Sequence, residues 1–281
     1  MQAELKSAWG SDLEVVNNAR VSFDKESTVE WRCKCGEKEP YVGNCNNTCR
    51  FTTTLRNEDI RLIGYLARGC TKNDWDEMIS ELAVTGEKDQ IIETVTKIKR
   101  MPEHWAPFAN GIGMKFRIKA PIPIMRQVFK TKIGTVESEV SRRYVDDEPE
   151  VYIPSEWRGR SSDKKQGSSD EAITEIYTFG WRPHPPNPIN EVYMDAVNYA
   201  IGTYQGMIAS GVCPEQARFV LPQGVYTEAI ISNSLYGWAR FYNQRSDRQH
   251  AQKEIADLAD QIGEVAAKKF PHSWVALTGT V

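Results

Sequence analysis

The stretch MKFRIKAPIPIMRQ, residues 114–127, carries the reading of the fold. Phe116, Ile118, Ala120 and Ile122 fall on alternate positions, with charged residues between the first three. A period of two with one wet face is the pattern of a β-strand that lays one side on a core. Pro121 and Pro123 end its ladder or mark an edge, since proline has no N–H to donate. Arg126 and Gln127 follow at once, and residues 124–144 go on mixing apolar and basic positions, with Lys130, Lys132, Ser141, Arg142 and Arg143 among them.

Outward from this strand the periodicity is mostly helical. In NEDIRLIGYLAR, residues 57–68, Asn57 can cap, Glu58 and Asp59 favour the first turn, and Ile60, Ile63 and Leu66 recur on one face. Residues 72–100 carry further helical signal with much charge. Residues 189–210 form a stripe through Val192, Ala196, Tyr199, Ala200 and Tyr204, with Gly211 to end it. Pro214 opens a short helix, EQARFVL. Residues 226–243 are apolar and helix-compatible, and residues 248–268 are amphipathic through Ile255, Leu258, Ile262, Val265 and Ala266. Residues 12–23, with Val15, Val16, Val21 and Phe23, read as a strand edge or the entry to one. Residues 24–56 read as an irregular insertion, and residues 155–188 as a long polar loop with a short helix in its middle. The expectation is one α+β domain over residues 1–281, a mainly antiparallel sheet flanked by long helices. A cysteine-rich insertion falls at about 30–52 and a helical one at about 71–100.

The 281 residues are enough to bury a sizeable core. The 35 basic and 38 acidic residues leave a net charge of −3, which argues against a nucleic-acid coat or an acidic tail. No run approaches the roughly 18 apolar residues of a membrane span, and the start has no secretory pattern. The expected compartment is the cytoplasm. There thiols stay reduced, and the quartet Cys33, Cys35, Cys45 and Cys49 suggests four thiolates around a structural zinc, although its spacing departs from paired C-x2-C. Loose surface thiols are the plainer alternative.

The informative cations are those set in apolar text: Arg126, Arg143, Arg218 in QARFVLP and Arg245 in FYNQRSD. Such an arginine needs an anionic partner, because its desolvation is costly. That partner is either a phosphate or ionised ring held by the guanidinium fork, or an internal carboxylate such as Glu137, Glu139 or Asp247. There is no G-x-G-x-x-G, no G-x4-G-K-[ST], no G-x-S-x-G and no H-E-x-x-H.

Taken in order, several segments resemble one family, the flavin-dependent thymidylate synthases. They are ARVSF (19–23), RLIGYLAR (61–68), HWAPF (104–108), FRIKAPIPIMRQ (116–127), SRRY (141–144) with YIP (152–154), ARFVLP (217–222), Arg245 and HAQKEI (250–255). Each is weak alone, and together they keep their order over about 235 residues, which chance matches would not do. The resemblance implies conversion of dUMP to dTMP. Methylenetetrahydrofolate gives the carbon, and FAD reduced by NADPH gives the hydride, in a homotetramer with sites between subunits. It implies nucleotide-binding roles for Arg126, Gln127, Ser141, Arg143, Arg218 and Arg245. Arg245 holds the uracil as its ring nitrogen loses a proton, and Ser141 joins it at the reacting nucleotide. It implies flavin contacts for Ser22, His104, Lys130, Lys132, Glu139, Ser234, Arg240 and His250.

The chain departs from the family where the signature R-H-R becomes Lys130–Thr131–Lys132, where Ala106 replaces a hydroxyl, and where an Asn-x-Arg pair becomes Ser234–Leu235–Tyr236. The nucleotide side thus reads as retained and the flavin side as altered, as in a divergent member of viral or phage type. Two other readings use the same scaffold. One is folate-dependent hydroxymethylation of dUMP or dCMP, which needs no net hydride. The other is a nucleotide-binding protein without catalysis. His104 and His250 have a plain reading as core-edge residues, Trp105, Trp238 and Tyr236 as core or interface, and Ser141 as a local cap.

Overall fold

A computed structural model describes residues 1–21, 25–33, 51–68, 104–145, 147–161, 168–177 and 186–279. The fold is mixed, with helices and antiparallel pairing, as the sequence led us to expect. The central sheet has the strand order Gln2–Trp9, Gly113–Pro121, Tyr226–Ser234 and Val136–Glu139. The last pair is antiparallel, with Ile231 opposite Glu137 and Ala229 opposite Glu139.

The alternation in residues 114–120 is realised: Met114, Phe116, Ile118 and Ala120 are fully buried. Ile122 no longer belongs to the strand. Pro121 takes an extended backbone (φ −63°, ψ 150°) and caps the helix Ile122–Val128, and Pro123 sits in that helix's first turn. Proline suits such a position because the first N–H groups of a helix have no internal partner. The two prolines therefore turn a strand into a helix within two residues, which throws Arg126 and Gln127 off the sheet.

The chain forms two compact units. The first comprises Met1–Lys6, Lys115–Ser232 and Phe241–Ile262. Its core includes Phe116, Ile118, Ile231, Phe241, Leu258 and Ile262, each at most 1% exposed. The helix Lys253–Lys269 matches its periodicity but starts later than expected, after a turn at residues 247–251. The helix Ile189–Ala209 has the expected extent, but its expected stripe fails: Tyr204 is buried, Ala196 is exposed, Tyr199 is 81% exposed, and Val197 is buried instead. Residues 158–176 differ from the expected loop and short helix. Arg158–Arg160 pairs with Ser168–Ala172, and Glu175–Ile176 with Asn187–Pro188. These strands are short and polar, so they lack the apolar alternation that announces a strand. Residues 226–234 also correct the helical expectation. Burial alternates through Ala229, Ile231 and Asn233, and the helix Leu235–Arg245 begins only after them.

The second unit comprises Ser7–Met114, Asn233–Arg240 and Gly263–Val281. Here residues 12–20 are a helix and not a strand edge: the Ser11 hydroxyl accepts the Glu14 N–H at 3.3 Å, and Asp12 and Glu14 complement the first turn. The β-branched Val15 and Val16 are simply its buried face. The buried Asp12 carboxylate also accepts the backbone N–H groups of His272 and Ser273, both at 3.0 Å, and so caps the helix Pro271–Thr278. The expected helix Asn57–Arg68 is present, with Ile63 and Leu66 buried and the fully buried Asp59 bound to Arg20 (2.7 Å) and the Ser27 hydroxyl (2.8 Å). Within residues 24–56 the strand Glu30–Cys33 pairs with Phe51–Thr54, Cys33 opposite Phe51, so the insertion is not wholly irregular. The proposed helical insertion at 71–100, with Ser22, Cys35, Cys45 and Cys49, lies outside the described residues.

Two substitutions test these anchors. Asp12→Ala leaves two buried backbone donors without an acceptor and should lower unfolding stability by about 1–3 kcal/mol at neutral pH, read from urea denaturation. Asp257, four residues into the helix Lys253–Lys269, is pushed up by burial. It is carried below the ordinary carboxylate range by the stronger pull of Lys253 (2.5 Å) and Arg248 (2.8 Å). A lowered folded value means that its contribution is complete above the unfolded range near ~4 and fades as pH falls through the folded value. Asp257→Asn should thus be less stable than the native chain at pH 7, with the two urea midpoints converging in acid. A gap that stays constant into strong acid would assign the loss to packing instead.

Candidate functional site

The first unit contains an open cleft of roughly 1140 Å³. One wall is the helix Ile122–Val128 that the prolines set going, which presents Ile124 and Gln127. Arg245 enters from the last turn of the helix Leu235–Arg245. His250 and Gln252 come from the turn that follows, and Glu254 from the first turn of the next helix. The polar hairpin adds Arg158, and Tyr152 closes one side.

The cations in this cleft are sorted by carboxylates. Arg158 is clamped by both oxygens of Glu254 at 2.7 Å, with both side chains largely buried. Arg248 is held by Asp257 and Asp260, and Lys253 by Asp257. The exposed His250 presents Nδ1 to Asp247 at 2.6 Å. Arg245 is different. It is half-buried, its Nε is buried without a hydrogen-bond partner, and its Nη2 makes a long 3.5 Å contact to the Gln127 carbonyl. Among the described residues no carboxylate pairs with it. A guanidinium with a buried, unanswered N–H is a donor prepared for an anionic or carbonyl ligand. Beside it, the Gln127 side-chain amide donates to Gln252 at 2.8 Å. Burial raises the pKa of the Tyr152 phenol, so at neutral pH it is a neutral donor.

Of the residues expected at the nucleotide, the structure therefore brings Gln127 and Arg245 together, with His250 beside them. Arg126, on the same helix as Gln127, is exposed and does not line the cleft. Arg218 is half-buried and its Nε donates to the Glu215 carbonyl at 3.2 Å. Ser141 accepts from Arg143 Nε at 3.0 Å, the local bond anticipated for it, and the Arg143 guanidinium lies 5.1 Å from the Tyr144 ring. The internal carboxylates offered as alternative partners are occupied elsewhere: Glu137 by Lys132 at 2.5 Å, Glu139 by the Thr227 hydroxyl at 2.7 Å, and Asp247 by His250. Lys130 is exposed.

The other flavin positions belong to the second unit. His104 is exposed and stacks on Tyr65 (5.5 Å, 28°). Ser234 uses its hydroxyl to accept the Gly237 N–H at 3.1 Å. Arg240 is exposed, with its guanidinium 5.9 Å from the Tyr236 ring. The plainer alternative for His104 and His250, that they are merely core-edge residues, does not hold, since both rings are exposed. Trp238 is core, as expected, and its Nε1 donates to the Met114 carbonyl at 2.9 Å. Within this unit the exposed His104 imidazole and Arg240 guanidinium, beside the Tyr65 and Tyr236 rings, are groups that suit a planar ring and a diphosphate and so fit a flavin. Glu254 and Tyr152 were not singled out, although Glu254 lies within the HAQKEI motif and Tyr152 within YIP. Arg158 reads from the sequence as one cation of the polar segment 158–170, a solvated loop or a lid that attracts a polyanionic folate or nucleotide, and not as a residue of the cleft wall.

The thymidylate synthase complementing protein family matches residues 52–272. A protein of Thermus thermophilus named flavin-dependent thymidylate synthase is 31% identical over 173 residues, which is 62% of this chain and 58% of that protein. The chain thus aligns to less than two thirds of its length. A protein of the same name from Kosmotoga olearia is 30% identical over 173 residues, 62% of this chain and 70% of its own. Among solved structures, the UMP/dUMP methylase PolB from Streptomyces cacaoi bound with 5-Br dUMP shares the fold. Its TM-score is 0.61 and its identity 23%, over 99% of this chain and 94% of that one. With some four fifths of its length matched, the chain belongs to the thymidylate synthase complementing protein family.

Proposed function

We propose that this protein is a flavin-dependent thymidylate synthase that methylates dUMP to dTMP. Methylenetetrahydrofolate is the carbon donor and NADPH the source of the hydride. The observation that carries the reading is Arg245, a half-buried guanidinium whose Nε has no partner, in a cleft large enough for a nucleotide and in a chain of this family. That PolB from Streptomyces cacaoi is bound with 5-Br dUMP supports a pyrimidine nucleotide as ligand.

In this reading Arg245 faces the uracil and stabilises the negative charge that develops as the ring nitrogen loses its proton, which makes C5 nucleophilic. A fixed cation in a partly dehydrated cleft does this without reorganisation at the moment of reaction. Gln127 orients the nucleotide through its amide, and Tyr152 serves as a neutral donor. Ser141, Arg143 and Arg218 reach the phosphate when subunits assemble as a homotetramer. FAD, when bound, supplies the hydride that reduces the transferred carbon to a methyl group. His104, Lys130, Lys132, Glu139, Ser234, Arg240 and His250 are the residues proposed to hold it, with Ser22. The compartment proposed is the cytoplasm.

The test is turnover of dUMP with methylenetetrahydrofolate, FAD and NADPH by the full chain. Formation of dTMP with one tetrahydrofolate per product is expected, and Arg245→Ala should lower kcat/KM by about 10²–10³. A 5-hydroxymethyl product formed without NADPH would replace this reading with hydroxymethylation. Nucleotide binding without any product would replace it with a binding role.

The zinc reading is proposed alongside. Pairing of Glu30–Cys33 with Phe51–Thr54 sets the two ends of the cysteine segment side by side, a natural tie point for Cys33, Cys35, Cys45 and Cys49. Metal analysis of the purified protein should find about one zinc per chain, lost in Cys35→Ser. Stoichiometric protein free of zinc removes this proposal and leaves the synthase reading untouched.

A further inference from the structure

Arg245 is placed by backbone more than by side-chain bonds. Its Nη2 contact to the Gln127 carbonyl is long, 3.5 Å, and its Nε is unanswered. The guanidinium therefore stands where the end of its helix and the turn after it put it. That turn is tight. The Asp247 carbonyl accepts the His250 and Ala251 N–H groups at 3.0 and 2.7 Å, and the Asp247 carboxylate accepts the Gln249 N–H at 2.9 Å. A turn closed on itself in this way moves as one piece. Its place in the cleft is then decided by what holds its far end, the first turn of the helix Lys253–Lys269.

Arg158 holds that end. Its Nη2 donates to both Glu254 oxygens at 2.7 Å, and the two side chains are only 21% and 16% exposed. The preceding residue, Trp157, is tied the other way. Its Nε1 donates to Asn190 Oδ1 at 2.7 Å, and its ring meets the Tyr193 ring edge-on at 5.0 Å, both on the helix Ile189–Ala209. The Trp157 carbonyl accepts the Ile173 N–H at 2.7 Å, and the Ile189 N–H donates to the Thr174 carbonyl at 2.9 Å, so the returning strand of the hairpin is fastened to the same helix. Trp157–Arg158 is thus a two-residue bridge from a 21-residue helix to the piece of chain that carries Arg245. The ion pairs of Arg248 and Lys253 with Asp257 and Asp260 join the turn only to its own helix. The Gln127–Gln252 bond at 2.8 Å is exposed. Exposed polar contacts of this kind hold weakly, whereas a largely buried pair resists separation.

We propose that Arg158 is a positioning residue for the reaction at Arg245. Through Glu254 it fixes the turn 246–252, and with it the guanidinium that faces the uracil. Reacting groups need support of this kind, because a displacement of about 1 Å can cost about 10²-fold in rate. The proposal deepens the reading of Arg245 as the uracil contact and rests on it. Arg158 also lines the cleft, so direct contact with the nucleotide is the competing role.

The two roles predict opposite effects for Glu254→Gln, which keeps the shape of the side chain and leaves Arg158 in place. The full chain and its variants are compared by calorimetric titration with dUMP and by dTMP formation, each well below its thermal unfolding midpoint. Positioning predicts that Glu254→Gln lowers kcat about tenfold and weakens dUMP several-fold. Direct contact predicts that dUMP binds as well or better, since Arg158 is released, and that result overturns the proposal. The charge exchange Arg158→Glu with Glu254→Arg rebuilds the pair and should recover most of both losses. In an Arg245→Ala chain, Glu254→Gln should cost no further dUMP affinity, because nothing is left to place. A lowered unfolding midpoint with kcat and affinity unchanged makes the pair merely structural and overturns the proposal. If the native chain binds dUMP and forms no dTMP, the synthase reading falls, and the calorimetric comparisons still decide the role of Arg158. If the native chain binds no dUMP, Arg245 is not a uracil contact and the proposal falls with that reading.

Discussion

The cleft depends on one unanswered guanidinium. Arg245 leaves the end of its helix with Nε buried and no carboxylate to meet it among the described residues. Around it the other arginines and the lysine of the cleft are paired in place: Arg158 by Glu254, Arg248 by Asp257 and Asp260, Lys253 by Asp257. Breaking a largely buried pair such as Arg158–Glu254 would strand a charge, whereas exposed pairs are worth little. The pairing therefore does more than add stability. It removes competing anion sites from the same cleft, so that among the described arginines and lysines lining it Arg245 alone is left without a carboxylate. Gln127 joins that cation because the Pro121–Pro123 turn ends the strand and swings the next helix into the cleft wall.

How much of this was legible follows from what each element buries. The strand at 113–121 and the helices at 57–68 and 253–269 each bury one regular face, so their period is written in the sequence. The helix at 189–209 was legible in extent only, since of its residues just Val197 and Tyr204 are buried. The strand Tyr226–Ser234 was hidden because its alternation runs into an apolar helix, and the joined segment reads as one. The strand Gln2–Trp9 alternates too, yet its buried side is weakly apolar. The helix Asp12–Arg20 was misread because Val15–Val16 favours strands locally, while the Ser11 cap and burial in the second unit decide otherwise. In the site, Arg245 and Gln127 were visible as polar residues in apolar text. Arg158 was visible only as one cation of a polar loop, because a cation in polar text looks solvated until its partner, here Glu254, is known to lie 96 positions away.

The departures in the basic triplet and at Tyr236 are physically alike. At Lys130–Thr131–Lys132 the chain gives up planar forks for point charges. Lys132 lies against Glu137, and the Thr131 hydroxyl is buried without a partner. An exposed pair of this kind is held by about 0–1 kcal/mol, so Lys132 can be drawn to a stronger anion at small cost. At residues 234–240 a fork is replaced by a phenol, with a guanidinium returned one turn later over its face. Both exchanges move recognition from rigid, bidentate contact with phosphate towards ring area and diffuse charge. Stacking is set by contact and is little affected by salt, whereas exposed cations lose their pull as ionic strength rises. In the cleft of the first unit there is no such exchange: Arg245 keeps the fork, with its Nε buried and unanswered.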